Sequence, residues 1–536
     1  MNQGWWDRAI GYEVYVRSFC DSNGDGIGDL AGITSKLDHL SWLGVDIVWL
    51  TPFFVSPQAD FGYDVADYLD VEPDYGTLDD FDELVDEAHR LGMKVIGDLV
   101  PNHTSDRHPW FRAAVADPTS DHRSYYHWAD PAPDGGPPNN WVSHFGGPAW
   151  TLDEASGQYY LHLFLPEQPD LNWSNPAVAD AFDGILRFWL ERGIDGFRID
   201  VAHSLTKAPG LPDNPSLRPI DPAMSPREAF ATFDHRYDLD QPETKDIYRR
   251  WRAVVEPYDA LLLGEVYLRY SPPARVAAYV TGGDGLHRAF HFAPMHTAWD
   301  PDAMWATFHE ALNVGQGGLS WAVSSHDDSR APSRFGGGDL GRERALAFST
   351  FMLGLPGLPF FYQGDELALT DVPVPPERLA DPVGIRNANP ADSRDKVRTP
   401  MPWAPGHQAG FSTASDTWLP VGDRSDAETV EGQRGDQRSW VHAFRALIAA
   451  RRALDPGDGD LEWLTEPGDD VLAFRRGAMV CAMNVGAEAT GFALPAGGWV
   501  ERFGASRSRP TRSEHREGTF ELDSPDAVLL EQVATD

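Results

Sequence analysis

Cysteine is nearly absent from the 536-residue chain: Cys20 and Cys481 are too few for a disulfide framework or a zinc ligand set. Basic residues are also scarce, 44 against 82 acidic ones, and only five are Lys, so the formal net charge is −38. A surface of that sign repels phosphates and anionic headgroups, which argues against nucleic acid and membrane partners. Few Lys beside abundant Asp fits either genomic codon bias or adaptation to salt. No run of about 18 uncharged apolar residues occurs, and MNQGWWDRAIGYEVYV has neither a basic leader nor an apolar core with a cleavage site. The expectation is a soluble, cytoplasmic protein with reduced cysteines.

What is present is 42% hydrophobic and 12% aromatic, enough for one large domain with appendages or for two or three domains. Short runs rich in Val, Ile and Leu alternate with amphipathic stretches. The runs lie at 11–16, 46–50, 94–99, 196–200, 261–265, 289–293, 321–324 and 358–362. Helical spacing marks 78–91, 178–192, 245–255, 341–353 and 439–452. Eight strand–helix units predict an α/β fold, a TIM (β/α)8 barrel. A segment rich in Pro, Gly, Asp and His interrupts the alternation and predicts a subdomain at 104–173, inserted after the third strand. A second long segment runs from 363 to 437, and loops of that length are usually functional. Short alternating segments after Pro456 predict a C-terminal antiparallel β-sandwich at 457–536. The barrel itself is assigned to 1–103 and 174–456.

Charge collects at the C-terminal ends of the predicted strands. Asp98, Asn102 and His103 close the third, Arg198 and Asp200 the fourth, Glu265 the fifth, and His326 with Asp327 follow the seventh. One carboxylate after a strand is commonly a helix cap or a solvated loop residue. Four charged strand ends on the catalytic face of a barrel point instead to a pocket holding several carboxylates. Paired carboxyl groups are what glycoside hydrolysis uses, one as acid and one as nucleophile or base.

The segments DLVPNH (98–103), QPDLN (168–172), GFRIDV (196–201), GEVY (264–267), HDDSR (326–330) and GLPFFYQGDE (357–366) resemble, in order, the sequence blocks of glycoside hydrolase family 13, the α-amylase superfamily. QPDLN, the N-terminal AIGYEVYVRSFCDSNGDGIGDLAGI and RDKVRTPMPW resemble its oligo-1,6-glucosidase and α-glucosidase branch. The resemblance implies Asp200 as nucleophile, Glu265 as general acid/base and Asp327 as the group that grips sugar hydroxyls. It implies that Arg198 keeps Asp200 ionised, that His103 and His326 donate to glucose hydroxyls, and that Asp98 supports the site. Asp60, Tyr63 and Arg398 would close the non-reducing end, with Tyr63 as a stacking face and Gln168 near the next sugar. The activity implied is a retaining, exo-acting α-glucosidase on short, maltose-like α-glucosides, α-1,4 favoured. Oligo-1,6-glucosidase and trehalose synthase-type isomerisation or transfer are the alternatives. A catalytically dead relative is disfavoured because all three carboxylates are present.

Asp21, Asn23, Asp25, Ile27 and Asp29 supply oxygen at every second position of a Gly-rich turn, while Gly32 stands where a helix–loop–helix calcium site has a bidentate Glu. The branch resemblance implies structural calcium; the alternative is a solvated acidic turn. Two departures stand out. Ser325 replaces the Asn that usually precedes the histidine, and Val201 follows the nucleophile, a residue that often accompanies α-1,6 preference, although the continuation AHSL does not match that type.

Overall fold

The computed structural model describes residues 4–221, 224–267, 272–315, 318–387, 389–454, 461–506 and 516–533. Eight parallel strands close a barrel: β1 (Gly11–Val14), β2 (Ile47–Leu50), β3 (Lys94–Leu99), β4 (Gly196–Ile199), β5 (Leu261–Glu265), β6 (Arg288–Phe290), β7 (Leu319–Ala322) and β8 (Leu358–Tyr362). Each neighbours the next, and β8 returns to β1. All eight predicted strands form; the seventh begins two residues earlier than its apolar run suggested, because Leu319 and Ser320 also pair with the neighbouring strands.

Period-two alternation splits each strand between two cores. Ile47 and Trp49, Leu261 and Leu263, and Leu358 and Phe360 point into the barrel, where they pack with Ile96, Phe290 and Ala322. The intervening residues meet the surrounding helices. Helix Leu78–Arg90 shows why these helices form where they do. Thr77 caps it, exchanging hydrogen bonds with Asp80, and Phe81, Leu84, Val85 and Ala88 recur at three-to-four spacing on its buried face. Pro176–Glu191 begins two residues before the predicted helix, since Asn175 caps it and Pro176 takes the first-turn position where a missing N–H costs nothing.

The 104–173 segment contains a three-stranded antiparallel sheet of Trp128–Ala129, Gln158–Leu161 and Trp150–Asp153. A further excursion that the sequence pattern did not reveal runs between β4 and helix Thr244–Val255 and includes the short helix Pro226–Phe230. A five-stranded antiparallel sheet follows the barrel, ordered Leu461–Trp463, Val471–Arg476, Met479–Asn484, Asp526–Val533 and Gly498–Gly504. The expected boundary near Pro456 lies outside the described residues. Among the described residues no helix is long and apolar enough to cross a membrane.

Candidate active site

Register sets the centre of the site. Arg198 on β4 lies opposite Asp98 on β3 and Leu263 on β5. Two residues further along the same face stand Asp200 and Glu265, so adjacent strands deliver them side by side. Arg198 Nη1 donates to both oxygens of Asp98 (2.7 and 2.9 Å) and to Asp200 Oδ1 (2.8 Å), while Nη2 donates to Glu265 Oε2 (2.6 Å). One buried guanidinium thus faces three carboxylates. Burial pushes Asp200 well above the ordinary carboxylate range, Arg198 opposes the rise, and Glu265 and Asp98 add to it. Burial likewise raises Asp98 to about 6 against the pull of Arg198.

Val201 follows Asp200 with φ +35°, a left-handed conformation that a β-branched residue rarely takes. The turn aims its N–H at Glu265 Oε2 (3.0 Å), so the strained residue anchors the neighbouring carboxylate.

Asp327 lies across the cavity on the loop after β7. Burial alone would raise its carboxyl, yet His326, Arg394 and Arg398 hold it well below the usual range. Arg398 Nη2 donates to it at 2.7 Å and Arg394 Nη1 at 3.3 Å. Its side chain is 37% exposed, against 10% for Asp200 and for Glu265, which leaves it the most open of the three. Ser325 serves the turn: its hydroxyl accepts from Asp327 N at 3.2 Å.

The loop carrying Asp60 and Tyr63 is held from within. Asp64 accepts from Ser56 Oγ and from the N–H groups of Ala59 and Asp60, and burial pushes its carboxyl up to about 7. Gly62 is required there: φ is +101°, and a Cβ would meet the Pro52 carbonyl at 2.7 Å. Asp60 pairs with Arg394 Nη2 at 2.8 Å, and that guanidinium also reaches Asp381 at 2.7 Å. Arg394 therefore ties the long segment after β8 to the loops after β2 and β7. The sequence reading assigned this end to Arg398 and passed over Arg394; the available signal was a second Arg four residues earlier in RDKVRTPMPW.

Three of the expected sugar contacts line the cavity and also make contacts within the protein. Gln168 is fully buried at the cavity lining, its Nε2 3.3 Å from Asp60 Oδ2, so it braces the Asp60 end of the cavity. His103 Nε2 donates to the Tyr63 carbonyl (3.0 Å) and its Nδ1 receives Asn102 Nδ2 (3.1 Å). Burial lowers His103 to about 4, so it is neutral at pH 7. Tyr63 has one ring face stacked on His326 (5.5 Å, 15°), which removes that face from sugar stacking.

A cavity of about 820 Å³ joins Asp60, Tyr63, Asp200, Glu265, His326 and Asp327. Its outer wall is an aromatic column from two excursions of the chain: Phe164 on His144 (4.7 Å), His144 on Phe230 (3.9 Å) and Phe230 on His235 (3.6 Å).

The proposed metal loop lies elsewhere. Asp21 Oδ1 accepts from Asn23 and Gly24 N, Asp21 Oδ2 from Gly26 N and Ser412 Oγ, Asn23 Oδ1 from Asp25 N, and Asp25 Oδ1 from Ile27 N. Asp29 accepts from Ser22 and Gly32 N. Among the described residues no three His, Cys, Asp or Glu side chains gather as a metal-holding group. The donors are nevertheless hard oxygens, the chemical kind that a divalent ion takes.

Residues 13–456 match the family profile described as alpha amylase, catalytic domain. The chain belongs to the α-amylase family of glycoside hydrolases. A relative from Rhizobium meliloti (strain 1021) named "Probable alpha-glucosidase" is 41% identical over 92% of each chain. An oligo-1,6-glucosidase of Parageobacillus thermoglucosidasius is 37% identical over 85% of each. The solved structure of an α-glucosyl transfer enzyme superposes with a TM-score of 0.90 at 37% identity, covering 99% of this chain and 100% of that one. These matches place the chain in the α-glucosidase branch, and with it among enzymes that cleave glycosidic bonds.

Proposed function

We propose that the protein is a retaining, exo-acting α-glucosidase that releases glucose from the non-reducing end of short α-glucosides, α-1,4 linkages favoured. The observation that carries this reading is the fork of Arg198 between Asp200 and Glu265. It holds two carboxyl groups on neighbouring strands beside one reacting centre, the arrangement a double displacement requires. In this reading the Asp200 carboxylate bonds to the anomeric carbon as Glu265 protonates the departing oxygen. Glu265 then takes a proton from water, which displaces Asp200. The Asp60–Arg394–Asp327 tie supports a site closed at one end, as single-glucose release needs.

A second reading, transfer to an acceptor sugar or isomerisation, is favoured by the aromatic column and by the likeness to an α-glucosyl transfer enzyme. Product profiles on maltose, isomaltose, sucrose, trehalose and maltotriose separate the two. Free glucose as the main product of maltose supports hydrolysis; trehalose or longer oligosaccharides support the second reading. Proton NMR of the first-formed glucose tests the mechanism, since initial β-glucose would refute retention. We also infer that Asp21, Asn23, Asp25, Ile27 and Asp29 hold a structural calcium ion. Two buried, unbonded cysteines support a reducing, cytoplasmic location.

A further inference from the structure

Glu13 lies within the N-terminal segment AIGYEVYVRSFCDSNGDGIGDLAGI, where it was given no role, and it points into the barrel from β1. Its register partner on β2 is Trp49, one of the inward residues, and Glu13 itself is 1% exposed. Its Oε1 is hydrogen-bonded to His326 Nδ1. On the other side of the ring, His326 Nε2 lies 2.8 Å from the Tyr63 hydroxyl, which in turn donates to Asp98 Oδ2 at 3.1 Å. The result is a buried chain Glu13–His326–Tyr63–Asp98 running from β1 to β3.

Counting protons along this chain points to its charge state. Both ends are carboxylates, which accept only. Three hydrogen bonds therefore need three protons from His326 and Tyr63. A neutral imidazole and a phenol supply two; an imidazolium and a phenol supply three. A protonated Asp98 could supply the missing one. The oxygens of Asp98, however, already accept twice from Arg198 Nη1 and, at 3.3 Å, from Trp49 Nε1, the bonding pattern of an anion.

We propose that Glu13 is a positioning residue that holds His326 as an imidazolium, so that the ring meets the sugar site as a cation and keeps its neighbour Asp327 ionised. His326 Nε2 lies 3.4 Å from Asp327 Oδ1, and both residues line the cavity. The groups facing the ring are consistent with a cation. Glu13 and Tyr15 come from β1 and the residue after it, Tyr63 from the β2 loop, Asp98 acts through Tyr63 from β3, and Asp327 follows on the ring's own loop. The cation Arg398 meets the backbone: its Nε donates to the His326 carbonyl at 3.0 Å. The inference rests on the glycosidase reading only for its catalytic consequence; the protonation state stands apart from it.

The test is nitrogen NMR of the full-length protein labelled with 15N-histidine, the His326 signals assigned by their loss in His326→Gln. Both ring nitrogens of His326 should show the shifts of protonated imidazolium at pH 7.5 without any substrate. A singly protonated ring in the wild-type protein overturns the proposal, whatever the enzyme hydrolyses. In Glu13→Gln, whose amide oxygen still accepts from Nδ1 but carries no charge, the ring should be singly protonated at that pH. The loss of kcat/KM should then be about tenfold greater at pH 8 than at pH 6. A uniform loss at both values would reduce Glu13 to a packing residue and overturn the proposal. Should the variant fail to fold, the wild-type spectrum decides alone. If the spectrum fits but maltose yields no glucose, the maltose-hydrolysing reading fails and the proton assignment stands.

Discussion

Arg394 Nη2 sits 2.8 Å from Asp60 Oδ1, joining residues 334 positions apart in the chain. Asp60 is 3% exposed, and burial raises its carboxyl while Arg394 opposes the rise. Removing the guanidinium leaves a buried carboxylate without its cation, a change that typically costs about 3 kcal/mol or more. Arg394→Ala should lower the denaturant midpoint accordingly and should raise KM for maltose, because Asp327 and Asp381 lose the same partner. Arg394→Lys should recover part of the stability and less of the KM, since a single ammonium cannot match the fork across three carboxylates. Unaltered stability and KM in Arg394→Ala would refute the role of the tie.

Asp200 and Glu265 should respond differently to the leaving group. Asp200→Asn should reduce turnover by about 10⁴-fold or more on every substrate, because no covalent intermediate forms. Glu265→Gln should cost about 10²- to 10⁴-fold on maltose and far less on aryl glucosides, whose leaving groups need little protonation. Equal losses on both substrates in Glu265→Gln would remove its assignment as the acid.

The barrel was readable because its strands are almost wholly buried and four of them end in a charged motif, as at Arg198 and Asp200. The excursion after β4 was not, since Phe230 and His235 sit in a polar, turn-rich stretch with no periodicity. They acquire meaning only by stacking on His144 from a different excursion. Arg394 and Glu13 escaped for a related reason: their partners Asp60 and His326 are more than 300 residues away. Gln168 was legible as a site residue, whereas its bond to Asp60 was not, because a motif names a residue without saying which way its amide points.

The acid limb of activity follows from the Arg198 cluster. Burial raises Asp98 to about 6 and pushes Asp200 upward as well. A carboxyl raised on folding holds its proton more tightly in the folded state, so it costs stability as pH rises through its folded value. Asp327, held low, has the opposite sign: its contribution is present above the ordinary Asp value near 3.9 and is lost as pH falls through its folded value. The proposed mechanism needs Asp200 ionised, so kcat/KM should fall with decreasing pH along a limb above the usual carboxylate range. Asp98→Asn should move that limb to lower pH by removing a neighbouring negative charge. A limb at or below pH 4 in the wild-type enzyme, or an upward move in the variant, would contradict this account.

The loop from Asp21 to Asp29 offers the remaining test. Its three carboxylates repel one another, and their bonds to backbone N–H groups shape the turn without cancelling their charge. A divalent ion would neutralise them, and binding only the folded state raises stability by about 2.7 kcal/mol at a hundredfold excess over the dissociation constant. Chelation should therefore lower Tm and added calcium should restore it. In the double variant Asp21→Ala and Asp25→Ala, Tm should no longer respond to calcium. Activity well below the melting range should change little on chelation, because double displacement through Asp200 and Glu265 uses no metal. Were Tm indifferent to both chelator and calcium, the loop would be a hydrogen-bonded acidic turn. Immediate loss of activity with the fold intact would mean that the ion acts at the reaction centre, and the structural assignment would be withdrawn.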